Sequence, residues 1–342
     1  MSGRLRILRA GPGSTVQDAG RHHYLRYGVT PAGPMDWIAY RTANAVLGNP
    51  PDAAAIEIAM GGLELVCEEA PLHVAFCGAG FAWTHKGRPV PTAARLRLEP
   101  GDVLSARLGA AGVWTYLAVA GGLDTPVVMG SRATHTRSGI GGIGGRFLRD
   151  GDVLPALPCE AAADLFDAGI AAPWLAPAAG PLRVVLGPQD DYFSAEGLAT
   201  FTGADFRLTA SADRMAYRLE GPRIAHARGF NIVTDGIALG AIQVSGDGNP
   251  LVMMADRGPT GGYPKIGAVI RVDLCRLAQM RPGETCRFRL VERDAARAAL
   301  IAAEDEIAAA GQHLVPLLRV PTTELLLGLN LVDGVMDAMT PP

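Results

Sequence analysis

The sequence predicts a mainly β protein: two related β domains of barrel or sandwich type, with few helices. Three observations predict it. Glycine (43) and proline (25) are spread along all 342 residues and cut the chain into apolar runs of strand length. Only two stretches carry a sustained helical period. The third is an internal echo. Leu5-Arg-Ile-Leu with Gly11-Pro12 recurs as Leu182-Arg-Val-Val-Leu with Gly187-Pro188, and Glu99-Pro-Gly-Asp recurs as Arg281-Pro-Gly-Glu, offset by about 177 and 182 residues. Agreement between the two offsets points to duplication of one β unit.

The elements follow in order. Leu72–Cys77, Val113–Ala120, Leu182–Leu186 and Ala241–Val244 are short apolar runs, and Cys286–Val291 alternates apolar and basic residues as a half-buried strand does. His85–Val90 and Asp247–Val252 read as hairpin turns. A helix is expected over Asp36–Leu47, where Trp37, Tyr40, Ala43, Asn44 and Leu47 share one face, Asp36 stands as N-cap and Gly48-Asn-Pro-Pro stops the run. A second is expected over the alanine-rich stretch Glu292–Ala310, ending at Gly311. The division follows: a β domain over 1–155, an Ala/Pro-rich linker over 156–181 with a short helix near Glu160–Ala168, a second β domain over 182–291, and a helix with an apolar tail over 292–342. Such a tail packs on its own body or on a partner chain.

Composition excludes several classes. Net charge is −3 and pI about 6.2, which argues against nucleic acid as the main partner. No apolar run reaches the roughly 18 residues of a membrane span, and the start lacks a signal-peptide core, so a soluble cytosolic protein is expected. The five cysteines contain no Cys-x-x-Cys pair and read as reduced thiols. His22-His23 is the single histidine cluster, and no structural metal is expected. Only Lys86 and Lys265 are lysines among 31 basic residues, and neither stands in a P-loop or a Ser-x-x-Lys motif.

Three glycine-rich stretches are left to carry chemistry. Gly139–Gly145 holds a formal Gly-x-Gly-x-x-Gly, but the preceding strand and following helix of a dinucleotide site are missing. Arg132, His135, Arg137 and Arg146 flank it, so it reads either as a plain β loop or as a lid over an anionic group. Asp256–Gly267 packs four glycines, Tyr263 and Lys265 into twelve residues after an apolar strand. Glycines let backbone donors approach a ligand, and Lys265 supplies a point charge. Gln17 and Asp18 are either hydrogen-bonding ligands or Asx-turn residues.

Taken in order, these loops resemble a known family. Thr15-Val-Gln-Asp-Ala-Gly-Arg, Gly28-Val-Thr-Pro-Ala-Gly-Pro-Met-Asp, Arg41-Thr-Ala-Asn-Ala-Val-Leu-Gly-Asn, Ala53-Ala-Ala-Ile-Glu-Ile, Ala120-Gly-Gly-Leu-Asp, Gly130-Ser-Arg, Gly141-Gly-x-Gly-Gly-Arg and Thr260-Gly-Gly-Tyr-Pro-Lys-Ile are similar to the biotin-dependent carboxyltransferase family, also called allophanate hydrolase subunit 2 or KipA-like. The family commonly has Ser where Ala32 and Ala133 stand and two prolines in place of Ser245-Gly246. The resemblance, over about residues 5–291, implies two cyclophilin-like β-barrel domains. It also implies two partners, one KipI-like (the B subunit) and one LamB-like (the A subunit).

The activity implied is that of the C subunit of an ATP-dependent 5-oxoprolinase, opening the 5-oxo-L-proline lactam to L-glutamate. ATP would be bound with the partner subunits. Neither lysine has the Met-Lys-Met context of a biotin acceptor, so no covalent biotin is expected on this chain. The alternatives are the carboxyltransferase component of a multi-chain, urea-type biotin carboxylase, and a regulator without chemistry that binds a KipI-like kinase inhibitor. For the lactam reaction, Arg132, Lys265 and the backbone of Thr260, Gly261 and Gly262 are expected to stabilise developing anions. Gln17, Gln243 and Tyr263 would orient substrate, and Asp18 or Asp36 would move a proton.

Overall fold

The structure, a computed structural model, describes residues 3–159, 165–176 and 178–317. It is mainly β, with four α-helices among the described residues: α1 (Trp37–Ala45), α2 (Ala195–Gly203), α3 (Arg271–Ala278) and α4 (Arg293–Ala308).

The first unit is two facing sheets. One has six strands, with Arg4–Ala10, Leu63–Glu68 and Val103–Arg107 as inner members; the other has seven, centred on Thr115–Val119, Leu72–Gly78 and Ala94–Leu98. Alternation fills the space between them. Leu5 and Ile7, Leu63, Leu65 and Cys67 from one sheet meet Val74, Phe76, Leu96, Leu98, Leu117 and Val119 from the other. The seven-stranded sheet is buried on its outer face too, where Ala75, Cys77, Tyr116 and Ala118 pack on Ala39, Tyr40 and Ala43 of α1. That explains why Leu72–Cys77 is a continuous apolar run rather than an alternating one.

The second unit is an eight-stranded, mostly antiparallel sheet, nearly closed on itself. Its core joins Leu182, Val184, Phe206, Leu219, Ile242, Val252 and Ile266 to Phe201 of α2 and Leu274 and Leu277 of α3. This core is continuous with the α1 layer of the first unit, so a wide apolar seam binds the two.

The duplication is visible in hydrogen bonds. Cys67 N donates to Asp102 O while Gly101 N donates back to Cys67 O, and Leu208 N donates to Glu284 O while Gly283 N donates back to Leu208 O. Both glycines hold φ near +90°, at 92° and 95°, the left-handed region that each turn needs. The opening strands keep the echo only in sequence. Arg4–Ala10 pairs antiparallel on both sides, whereas Leu182–Leu186 has a parallel partner in Phe288–Leu290.

Most expected elements stand within a residue or two of their places, including the Lys86-Gly87 hairpin turn, the cap at Asp36 and the helix ending before Gly311. Two helices differ. α2 carries an internal Gly197 and two β-branched threonines, and α3 is two turns long, so neither shows a helical period. The linker is tied down: Ala168–Ile170 extends the seven-stranded sheet, and Trp174 Nε1 donates to Thr42 Oγ1 at 3.0 Å. Of the helix expected near Glu160–Ala168, residues 160–164 lie outside the described residues and Ala168 opens a strand. Of the tail, Leu314–Pro316 pairs with that same strand, and 318–342 lie outside the described residues.

Candidate functional site

Chemistry-bearing side chains gather in three places. The first is in the second unit, where Lys265 opens the strand Lys265–Val269. Lys265 is only 4% exposed, and its Nζ donates to Asp235 Oδ2 at 2.7 Å. Its backbone N–H donates to Gln189 Oε1 at 3.2 Å, and Gln189 Nε2 reaches the same Asp235 oxygen at 3.4 Å. Lys265 holds the Asp235 carboxyl below the usual carboxylate range, first by this hydrogen bond. Gln243, buried on the neighbouring strand, donates to Tyr263 O at 3.4 Å. Thr260-Gly261 pairs with Asp235-Gly236, and Ile232 N donates to Gly262 O at 2.8 Å. Gly261 is closely approached there: a Cβ would stand 2.5 Å from Gln243 Nε2 and 2.8 Å from Ile237 Cδ1, the ends of two side chains that would have to shift. The structure therefore brings Gln243, Thr260, Gly261, Gly262, Tyr263 and Lys265 together.

The second place is the Gly130–Gly145 region of the first unit. Asp18 accepts from Ser131 Oγ at 2.6 Å, from Gly20 N at 2.9 Å and from Arg132 N. Gln17 is wholly buried, donating to Thr134 O and Thr15 Oγ1 and accepting from Gly33 N. Both residues hold loops. Asp18 closes an Asx turn and pins Ser131-Arg132, and Gln17 has no surface left for a ligand. The Arg132 guanidinium donates to Asp124 Oδ1 at 3.2 Å, and its Nε, like His135 Nε2, has no partner among the described residues.

The third place is the seam between the units. Asp36 is buried: Oδ1 caps α1 through Ala39 N at 3.0 Å, and Oδ2 accepts from Gln279 Nε2 at 2.8 Å. Gln279 Oε1 in turn accepts from Val113 N and Trp114 N. Burial pushes the Asp36 carboxyl up against these donors. The roles this geometry shows for Asp18 and Asp36 are loop closure and helix capping, each oxygen accepting at least one donor of the fold.

Beside Asp36 lies a buried ionic network that the sequence reading missed. Arg214 binds Asp256 through two 2.9 Å bonds, Glu57 through a direct ion pair, and Gly33 O at 2.7 Å. Glu57 also accepts from Tyr116 Oη at 2.7 Å and Met35 N at 2.8 Å. Burial raises the Glu57 carboxyl against the pull of Arg214. For Arg214 burial acts downward, and Asp256 and Glu57 overrule it. A signal was present: Glu57 is a lone carboxylate inside the apolar strand Ala55–Ile58, and a buried charge needs a partner.

The two glycine loops meet at this network. Arg137 donates to Asp213 Oδ2 at 3.1 Å, and His135, its pKa lowered by burial, lies within the fields of Asp256 and Arg214. Arg132 and Lys265 do not share either of two large cavities. One, of about 780 Å³, is walled by Asp36, Gln279, Arg183 and the start of the second unit; the other, of about 560 Å³, by Asp18, His22, His23, Tyr24 and Tyr27. Neither includes Arg132, Lys265 or Tyr263.

Comparison with known proteins places this architecture. Residues 27–290 match the family described as carboxyltransferase domain, subdomain A and B. The chain is 36% identical to the 5-oxoprolinase C subunit of Escherichia coli (strain K12) over 291 residues, 83% of this chain and 90% of that protein. It is 33% identical to the 5-oxoprolinase C subunit of Haemophilus influenzae over 289 residues, again 90% of that protein. Its fold superposes on the crystal structure of the K. lactis urea amidolyase with a TM-score of 0.82 at 28% identity, covering 92% of this chain. It spans only 21% of that chain.

Proposed function

Because the chain belongs to the carboxyltransferase-domain family, subdomains A and B, we propose that it works as the C subunit of a 5-oxoprolinase. One observation carries the reading: the likeness to proteins named as the C subunit of 5-oxoprolinase runs over 90% of their length at 36% and 33% identity. The reaction class is hydrolysis of an amide ring, carried out in a complex with other subunits. The proposed partners are one KipI-like chain, the B subunit, with one LamB-like chain, the A subunit.

The lactam carbonyl of 5-oxo-L-proline is a poor electrophile. We infer that its oxygen takes the γ-phosphoryl group of ATP bound with the partner subunits, ADP being the leaving group. Water then attacks the carbon, the C–N bond breaks as the ring nitrogen takes a proton, and a second water cleaves the acyl phosphate that remains, releasing phosphate and L-glutamate. Each step develops negative charge on oxygen. The Thr260–Gly262 backbone is proposed to meet that charge, and Lys265, at the opening of its strand, to hold negative charge that the substrate already carries. Gln243 and Tyr263 orient the ring; Arg132, held in the first unit apart from Lys265, is proposed to meet anionic charge from there.

The test is reconstitution with the KipI-like and LamB-like partners, following ATP hydrolysis that depends on 5-oxo-L-proline. Turnover requiring all three chains supports the reading, and Lys265→Ala or Arg132→Ala is expected to lower it at least a hundredfold. Full turnover in both variants rejects the assigned roles. The fold shared with the K. lactis urea amidolyase keeps a carboxyltransferase alternative in view. It requires a biotinylated partner chain, visible by avidin blot, because Lys86 stands in His-Lys-Gly rather than Met-Lys-Met and Lys265 is buried. A stable pair with the KipI-like partner that has no turnover would point instead to a regulator.

A further inference from the structure

Lys265 is a cation withdrawn from water. Among the described residues its side chain has one acidic partner, the Asp235 carboxylate at 2.7 Å. An ammonium so buried is unfavourable without a counter-ion, so an anion belongs at this position in every state of the protein. Asp235 supplies it from an unusual place. Its side chain is 52% exposed, on a strap whose residues 227–231 and 233–236 are all exposed. The strap is tied to the 260–262 loop by the Asp235-Gly236 ladder and the Ile232-to-Gly262 bond. A buried cation is thus neutralised by a carboxylate that can swing away into solvent.

We propose that Lys265 and Gln189 form a subsite for the carboxylate of a small-molecule ligand, and that Asp235 is its built-in occupant, displaced when the ligand binds. The donor set selects a carboxylate. It offers one ammonium and one carboxamide, Gln189 Nε2, already 3.4 Å from the Asp235 oxygen. Among the described residues no arginine bonds to these groups, whereas a phosphate calls for more charge and more donors. Asp235 is ionised at neutral pH because Lys265 favours its charged form, so it is a true mimic of such a ligand. Gln243, one strand away, presents the polar group that a lactam carbonyl or N–H would meet. That the ligand is 5-oxo-L-proline rests on the function proposed above; the subsite and its occupant do not.

The test uses the full chain, by isothermal titration and amide NMR, with three probes: 5-oxo-L-proline, its carboxamide, and acetate. Asp235→Asn removes the competing charge and is expected to tighten both carboxylates by up to about fivefold, the range of an exposed ion pair, while leaving the carboxamide unchanged. Lys265→Met is expected to abolish carboxylate binding. In the unmutated chain, a carboxylate probe should speed hydrogen exchange at the Ile232 amide as the strap loosens. Unchanged or weaker carboxylate binding in Asp235→Asn, equal tightening of the carboxamide, or no carboxylate binding by either protein overturns the proposal. Asp235-dependent acetate binding in a chain whose reconstituted complex lacks 5-oxo-L-proline turnover would sink the proposed function and leave the subsite standing.

Discussion

Replacing Arg214 by methionine removes the cation at the centre of the seam while keeping most of its volume. Arg214 is 8% exposed and makes four side-chain bonds that reach Asp256, Glu57 and Gly33 O. Its loss leaves two carboxylates buried with no counter-charge. Breaking a buried pair from one side costs roughly 3–5 kcal/mol. Folded domains hold only about 5–15 kcal/mol in total, so Arg214→Met is expected to take away a large share of stability. The assay is urea unfolding followed by circular dichroism, with the midpoint read at constant slope. Adding Glu57→Gln then tests the cause. If the penalty is uncompensated charge, the double variant recovers about 1–2 kcal/mol relative to Arg214→Met alone. A loss below about 1 kcal/mol, or a second substitution that only adds to the damage, would refute the electrostatic account and leave the seam held by apolar packing alone.

The remaining expectations concern single residues around the same seam. Asparagine keeps the cap but turns an amide N–H toward Gln279 Nε2, so Asp36→Asn should lower the melting temperature, though less than Asp36→Ala, while turnover of the folded complex stays within a few-fold; loss of turnover in folded Asp36→Asn would place Asp36 in the chemistry. The His135 ring has a folded pKa below its ordinary 6.5. The unfolded chain therefore binds the extra proton first, and stability should fall as pH drops below about 6.5 toward the folded value. A melting curve between pH 7 and 5 checks this, with a smaller drop expected in His135→Gln. Gly261→Ala places a methyl 2.5 Å from Gln243 Nε2 and should raise the KM for 5-oxo-L-proline severalfold at little cost in stability; an unchanged KM would remove Gln243 from the substrate site.

How far the sequence reaches depends on whether a residue's partner is near in the chain. Asp36 as a cap, the Lys86-Gly87 turn and the end of α4 are local events, each decided within five residues, and each is legible. Strands were legible for the same reason, since burial of one face or two leaves period-two or continuous apolar runs. α3 was not, because eight residues carry too little period, and its place is set by Asp273 bonding Arg183 far upstream. The site divides along the same line. The Gly258–Gly262 glycines and Lys265 announce a loop where backbone comes close to something, but nothing near them announces Asp235 or Gln189, which reach Lys265 across 30 and 76 residues. Asp18 and Asp36 cannot be told apart from ligand-binding acids by sequence, because a carboxylate in a polar glycine loop has the same composition whether it serves a ligand or the loop. Their donors, Ser131 and Gln279, lie 113 and 243 residues away. A buried charge within an apolar strand is different: Glu57 had to be paired wherever its partner lay, and asking what neutralises it would have led to Arg214 and to the seam. The same question put to Lys265, the one lysine outside a hairpin turn, leads to Asp235, and from there to a carboxylate that must leave before another can enter.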